Sequence, residues 1–309
     1  MPKMQVAESI EIAADPQTVF QLVSDFNRWT QWSPWLCCEP DAKVTVTNDA
    51  NSVGSIYQWE GELVGQGEIE HLVLDSGSFI EQDLRFVKPW KSQATVTFDF
   101  QPSEAGTKVT WTMDSKLPFF MFWMKSTMEA MIGMDYERGL KMMKELIETG
   151  KVESTTTIRG VESVGPLHVA GYRQTCTMND IGPALSDAIS KTMDTLNQKG
   201  ISAEPEKIAV YHGFDMKNRT FDVTSGTLVC DPLEASDGLE TWSLPTTQAL
   251  AVEHRGSYDN LGNPWGAAYQ YVRYKKLKQK KCATFEIYRN DPANTATADL
   301  QTDIYLPLK

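Results

Sequence analysis

Long apolar runs are missing from this chain of 309 residues. None approaches the roughly 20 residues that a membrane-crossing helix needs, and the opening MPKMQVAESIEIAAD lacks the apolar core of a secretory signal, so a cytoplasmic location is expected. Cysteine is scarce. Five residues, an odd number, with Cys37 beside Cys38 and no Cys-x-x-Cys, exclude a disulfide framework and imply reduced thiols. His71, His168, His212 and His254 are too scattered for metal-ligand spacing, and neither a metal nor a cofactor is expected. Positive charge is also short: a net charge of -12 repels phosphate backbones and argues against nucleic acid as a partner. No serine, cysteine or aspartate stands in a triad-like or nucleophile-elbow context.

What is present points to two domains, since single cores stop growing efficiently near this length. Met4 to Ile12 reads as a strand, and Asp15-Pro16 supplies the cap and first-turn proline of a short helix carrying Val19, Phe20 and Val23. In FNRWTQWSPW the three-residue spacing of Trp29, Trp32 and Trp35 places them on one side, which closes a core rather than a ligand cage. From Lys43 to Asp114 the pattern has period two, with breaks at Asn48–Asn51, Gly65–Gly67, Asp75–Ser78, Pro89 and Glu104–Gly106. About six antiparallel strands follow from it. After Pro118, Met124, Met128, Met131, Ile132, Leu140, Met143, Leu146 and Ile147 recur at helical spacing, giving a long amphipathic helix pressed on the sheet. The run PFFMFWM is far too short to span a bilayer and is expected to form core or a cavity lid. His71 reads as a hydrogen-bonded structural residue, and no acid/base pair emerges in this half.

These features together resemble the SRPBCC superfamily, the START-like helix-grip fold also called polyketide cyclase and lipid-transport-like. The resemblance rests on the Asp15-Pro16 helix, DFNRWTQWSPW at Asp25–Trp35, FVKPW at Phe86–Trp90, GTKVTWTM at Gly106–Met113 and the long helix, and covers about residues 3 to 149. It implies a curved sheet gripping that helix around a cavity for an apolar ligand. Fold membership of this kind does not specify a reaction.

Gly150 ends the helix as a C-terminal glycine should, and KVESTTTIRG lacks apolar periodicity. Residues 1–150 are therefore read as one domain, 151–160 as a linker and 161–309 as a second domain, α+β like the first. The second domain repeats itself. A strand ending HVAGYRQ, a helix from about Asp180 to Lys199 and two strands are followed later by ALAVEHRGSY, a helix from about Asn260 to Lys280 and two more strands. This is a duplicated strand-helix-strand-strand module. Arg273, Lys275, Lys276, Lys278, Lys280 and Lys281 end the second helix, where cations suit the dipole and face water.

The closing stretch, TFEIYRNDPANTATADLQTDIYLPLK, says most. Glu286 and Tyr288 alternate with Phe285 and Ile287, so an acid and a phenol share one strand face. If that face points inward, the carboxylate needs a positive or hydrogen-bonding partner, and a ligand cation could be one. This half resembles the GyrI-like, or effector-binding, family, which also supplies the drug-sensing domain of some multidrug-responsive activators. VAGYR at Val169–Arg173, AVYHGF at Ala209–Phe214, HRGSY at His254–Tyr258, FEIYRNDP and LQTDIYLPLK carry the likeness. The resemblance implies an aromatic pocket for lipophilic or cationic compounds, with Glu286 as its ligand-facing carboxylate. It further implies Trp265, Tyr269 and Tyr288 as walls, joined by Tyr172, Tyr211 and Tyr258. The activators of that family carry a helix-turn-helix segment where this chain has its helix-grip half, which disfavours direct DNA regulation. The expected function is binding, in sensing or sequestration. The alternative is a hydrolase in which Glu286 activates water against a reactive electrophile.

Overall fold

The alternation of Lys3–Ile12, exposed then buried, makes it the first strand, β1, of a sheet whose inner face is largely apolar. The computed structural model describes residues 3–47, 49–236 and 238–309. It divides between Glu153 and Ser154 into two compact units.

In the first unit β1 leads to α1 (Pro16–Ser24), whose first turn is held by the Asp15 carboxylate accepting from the Thr18 amide at 3.0 Å. Six further strands follow, as the period-two pattern requires: β2 (Lys43–Val46), β3 (Ile56–Glu60), β4 (Gln66–Asp75), β5 (Phe79–Lys88), β6 (Ser92–Ser103) and β7 (Gly106–Lys116). All pair antiparallel in the order β1-β7-β6-β5-β4-β3-β2. Of the predicted breaks, Asn48 lies outside the described residues. The tryptophan segment folds as a 3-10 helix over Phe26–Gln31, and its three-residue period brings Trp29 against Trp32, the rings tilted and 5.4 Å apart, both buried. The long helix, α2 (Lys125–Thr149), grips the sheet through Tyr136, Leu140, Met143 and Leu146 and ends at Gly150 with φ 87°.

Two expectations fail here. Met131 is 46% exposed, so the buried stripe of α2 begins only at Gly133. The expectation of core fails in PFFMFWM at Phe119, Phe122 and Trp123, which stand in solvent in the 3-10 turn Phe119–Met124.

The second unit holds β8 (Thr155–Val164), β9 (Leu167–Thr177), α3 (Ile181–Gln198), β10 (Ala203–Asp215), β11 (Thr220–Val229), β12 (Glu240–Leu244), β13 (Thr247–Arg255), α4 (Gly262–Tyr274), β14 (Thr284–Tyr288) and β15 (Gln301–Pro307). The sheet order is β12-β9-β11-β10-β14-β15-β13-β8. Its middle is the duplication made visible: β9-β11-β10 mirrors β13-β15-β14, with β10 and β14 paired at the join. Two-residue connections, Gly165-Pro166 and Pro245-Thr246, join strands from opposite ends of this order, so the sheet curls back on itself.

The expected linker over 151–160 is corrected. Thr155–Gly160 belongs to β8, which pairs along β13. As an edge strand with alternate residues exposed, it needs few apolar side chains, which is why its sequence looked structureless. The second helix is also shorter than expected. The chain leaves α4 through Lys276 in the left-handed region (φ 55°), with the Leu277 amide donating to Val272 O at 2.9 Å, and most of the lysine run lies beyond the helix.

Candidate functional site

β14 lies near the middle of the second sheet, between β10 and β15, so both of its edges are paired, and four of its five residues, on both faces, are buried. Phe285 and Ile287 point into an apolar core with Val210, Ala251 and Tyr305. By the two-residue alternation, Glu286 and Tyr288 face the helices. Glu286 is 1% exposed. Three donors surround its carboxylate: Tyr211 Oη to Oε1 at 2.7 Å, Trp265 Nε1 to Oε2 at 3.0 Å, and the Tyr288 hydroxyl, also to Oε1. Tyr211 comes from β10, one strand away, and Trp265 from the first turn of α4. That turn is set by a preceding 3-10 turn, which Ser257 caps by accepting from the Asp259 amide.

No lysine, arginine or histidine forms an ion pair with Glu286 among the described residues. Burial pushes the carboxyl above its ordinary range, and the hydrogen bonds from Tyr288, Tyr211 and Trp265 pull against that rise. Both bonded phenols sit well above the usual tyrosine value, first because they are buried and then because a carboxylate is beside them. Burial also pushes Tyr258 up to about 12. This is a buried acid satisfied by neutral donors, with no compensating charge.

Rings enclose the acid. Tyr211 meets Trp265 edge-on at 5.2 Å, Tyr258 meets Tyr288 at 5.6 Å, and Tyr269 stacks on Trp265 at 6.2 Å. Tyr269 is 50% exposed and forms the rim. Five of the six aromatic residues singled out in the sequence thus gather around Glu286. Tyr172 does not. It shares a cross-strand row with Ser225, Ala209 and Glu286 but stands three strands away, about 14 Å at the usual strand spacing. Its hydroxyl pairs with Thr195, and Lys191 lies over its ring at 3.9 Å.

Sequence reading missed the opposite wall. Ile181, Leu185 and Ile189 of α3 and Phe221 of β11 pack into the same cluster as Tyr211, Tyr258 and Tyr288. The stripe on α3 was legible as buried, but nothing in its spacing said against what. Also missed was Asp303, 2% exposed on the other sheet face, where Arg159 (2.9 Å) and Arg289 (2.8 Å) neutralise it. The contrast with Glu286 is chemical: one buried acid has two guanidiniums, the other none. A separate groove of about 260 Å³, lined by Leu167, His168, Glu204 and Cys230 among others, includes none of the predicted site residues.

In the first unit the gripping face is filled with rings. Trp32 meets Trp111 at 5.6 Å, and Trp111 stacks on Tyr136 at 3.8 Å. Trp32 Nε1, Trp111 Nε1 and Gln82 Oε1 are buried there without a hydrogen-bond partner. His71 is fully buried, with Nε2 against Ser24 O at 3.0 Å, Nδ1 against Gln82 at 3.2 Å and its ring stacked on Phe26. Among the described residues no group of three or more histidine, cysteine or acidic side chains could hold a metal, and no helix is long and apolar enough to cross a membrane.

Comparison with known proteins divides the chain at the same place. Residues 3–148 match the family described as polyketide cyclase, dehydrase and lipid transport, and residues 161–309 match the GyrI-like small molecule binding domain. None of the curated proteins matches the chain. Among solved structures, a protein from Chromobacterium violaceum is 16% identical over 47% of this chain and 98% of its own, with a TM-score of 0.37. The Aha1 dimer from Colwellia psychrerythraea is 18% identical over 48% and 98%, with a TM-score of 0.37. The EcmrR C-terminal domain is 17% identical over 50% and 98%, with a TM-score of 0.39. The chain thus joins a domain of the polyketide cyclase, dehydrase and lipid transport family to a GyrI-like small molecule binding domain.

Proposed function

We propose that the second unit binds lipophilic cations, with Glu286 as the counter-charge and Trp265, Tyr211, Tyr258, Tyr269 and Tyr288 as the enclosing surface. The observation that carries this reading is the isolation of the acid: a carboxylate 1% exposed, held by three neutral donors, with no cation among the described residues paired to it. A ligand bearing a diffuse positive charge supplies that missing partner. The ring faces add attraction of about 0.5 to 2 kcal/mol per contact with a desolvated cation. Entry requires the Trp265 or Tyr211 ring to turn aside, and both are only half-buried. Such a site serves sensing or sequestration of compounds that share shape and charge rather than a fixed set of polar groups.

The test is a tryptophan-quenching titration of wild type and Glu286→Gln with lipophilic cations and their neutral analogues. Glutamine fits the site, since its carbonyl can accept from Trp265 and its amide can donate to the two tyrosine oxygens. Cation affinity is expected to fall by at least about tenfold in the variant, as loss of a buried charge partner costs several kcal/mol, while neutral analogues bind unchanged. Equal cation binding by both proteins sinks the proposal.

The raised pKa of Glu286 also suits a general base acting on water, which is the ground for a hydrolytic reading. That reading requires turnover of a bound electrophile, abolished in Glu286→Gln while binding persists. Product analysis on the same titration series separates the two.

A further inference from the structure

One end of the first sheet carries a surface that takes no part in the site around Glu286. Val87 and Trp90, in and after the end of β5, are 44% and 54% exposed. Phe119, Phe122 and Trp123, in the 3-10 turn after β7, are 77%, 60% and 70% exposed. The register brings these two segments to the same end: Phe86 pairs with Ser92 and Ala94 with Ser115, so the β5–β6 turn and the chain leaving Lys116 emerge from neighbouring strands. Large exposed rings grouped in this way mark an interaction surface.

The charges around them run against the rest of the molecule. The chain carries a net charge of -12, yet Lys3, Lys88, Lys91, Lys116 and Lys125 all lie at this end. Lys88 is paired with Glu60 at 3.7 Å and Lys125 with Glu129 at 3.5 Å. Lys3, Lys91 and Lys116 are exposed and have no ion pair among the described residues. Lys3 and Lys116 stand directly opposite each other across β1 and β7, a like-charge pair that disfavours the sheet unless an external anion lies against it.

We propose that this end of the first unit docks on the anionic surface of a lipid bilayer, with Trp90, Phe119, Phe122 and Trp123 entering the boundary between headgroups and acyl chains and Lys3, Lys91 and Lys116 meeting lipid phosphates. Aromatic rings prefer that boundary, and lysines reach the phosphates from it. A second copy of the chain fits less well, because it would set lysine against lysine. An acidic peptide leaves the rings uncovered, because they project from two separate turns rather than lining a groove. Docking of this kind is peripheral.

The full chain is to be sedimented with vesicles of phosphatidylcholine alone and with vesicles that also contain phosphatidylglycerol. Wild type is expected to bind the anionic vesicles at least about tenfold more strongly, and to be released by salt. Phe119→Ser with Trp123→Ser, and separately Lys91→Glu with Lys116→Glu, are each expected to lower that binding at least about tenfold. All four positions are exposed, so circular dichroism and Tm should match wild type and confirm folding. Failure of wild type to bind anionic vesicles overturns the proposal, as does binding unchanged in both double variants. Concentration-dependent self-association without lipid, abolished by Phe119→Ser with Trp123→Ser, overturns it in favour of a contact between copies.

Discussion

Glu286 and His71 are both fully buried titratable groups, and their surroundings give them opposite uses. Glu286 has no partner of opposite charge among the described residues, whereas His71 is locked between Ser24 O and Gln82. Burial lowers the His71 pKa to about 4 from its ordinary 6.5, so the folded protein holds the ring neutral while the unfolded chain takes up the proton first. Stability from this residue is therefore complete above about pH 6.5 and is lost as pH falls toward 4. The shift converts to about 3 kcal/mol. His71→Gln can still donate to Ser24 O but does not titrate. The stability gap between wild type and this variant, measured by urea unfolding, should narrow by about 3 kcal/mol from pH 7 to pH 4. A gap that does not change with pH removes His71 from the acid response. The sequence made the histidine legible as structural. It could not show the partners, which come from α1's end and β5.

At the scale of elements, close approach of backbones decides what composition cannot. A Cβ on Gly226 of β11 would run into Ala170 O of β9, and that strand is held on both sides and cannot retreat. On α2, a Cβ on Gly139 would sit 2.8 Å from the Trp111 ring and 3.1 Å from Pro34, a looser approach and to side chains rather than to backbone. Gly226→Ala should accordingly cost roughly 3 kcal/mol or more. Gly139→Ala should cost less, since the repulsion is partly offset by the better helix propensity of alanine, about 1 kcal/mol. Denaturant midpoints of the two variants check the order, and the reverse order refutes the argument. Element reading from sequence succeeded where burial was strong, as in the six-strand run and the stripe of α3. It failed where burial was weak. β8 has every second residue exposed, and the 3-10 turn at Phe119–Met124 exposes the rings that hydrophobicity alone assigns to a core.

For the whole molecule, each unit has its own sheet and its own apolar clusters, the first centred on Trp32, Phe98 and Tyr136 and the second on β10, β14 and the two helices. Fragments 1–153 and 154–309 are therefore expected to fold separately, each with a cooperative thermal transition. A break at the earlier expected boundary, starting the second fragment at 161, removes Thr155–Gly160 of β8 and leaves Ala251–Arg255 of β13 unpaired along that edge. That fragment should be less stable than 154–309 by scanning calorimetry. Equal stability would show that β8 contributes nothing.

Sequence alone determined the two-domain division, the α+β class, the duplication and the pairing of Glu286 with Tyr288 on one face. The division follows from chain length and the break at Gly150, the duplication from the repeated order of motifs, and the rest from local periodicity, which the backbone geometry of strands and helices reads directly. Tertiary structure decided which residues meet. Tyr211 reaches Glu286 because β10 and β14 are neighbours, and Trp265 reaches it because α4 lies over them. Tyr172, equally aromatic and on the same face, is excluded by three strands of separation. Sequence distance carries no information about strand order, so the membership of the site is fixed only when the sheet is assembled.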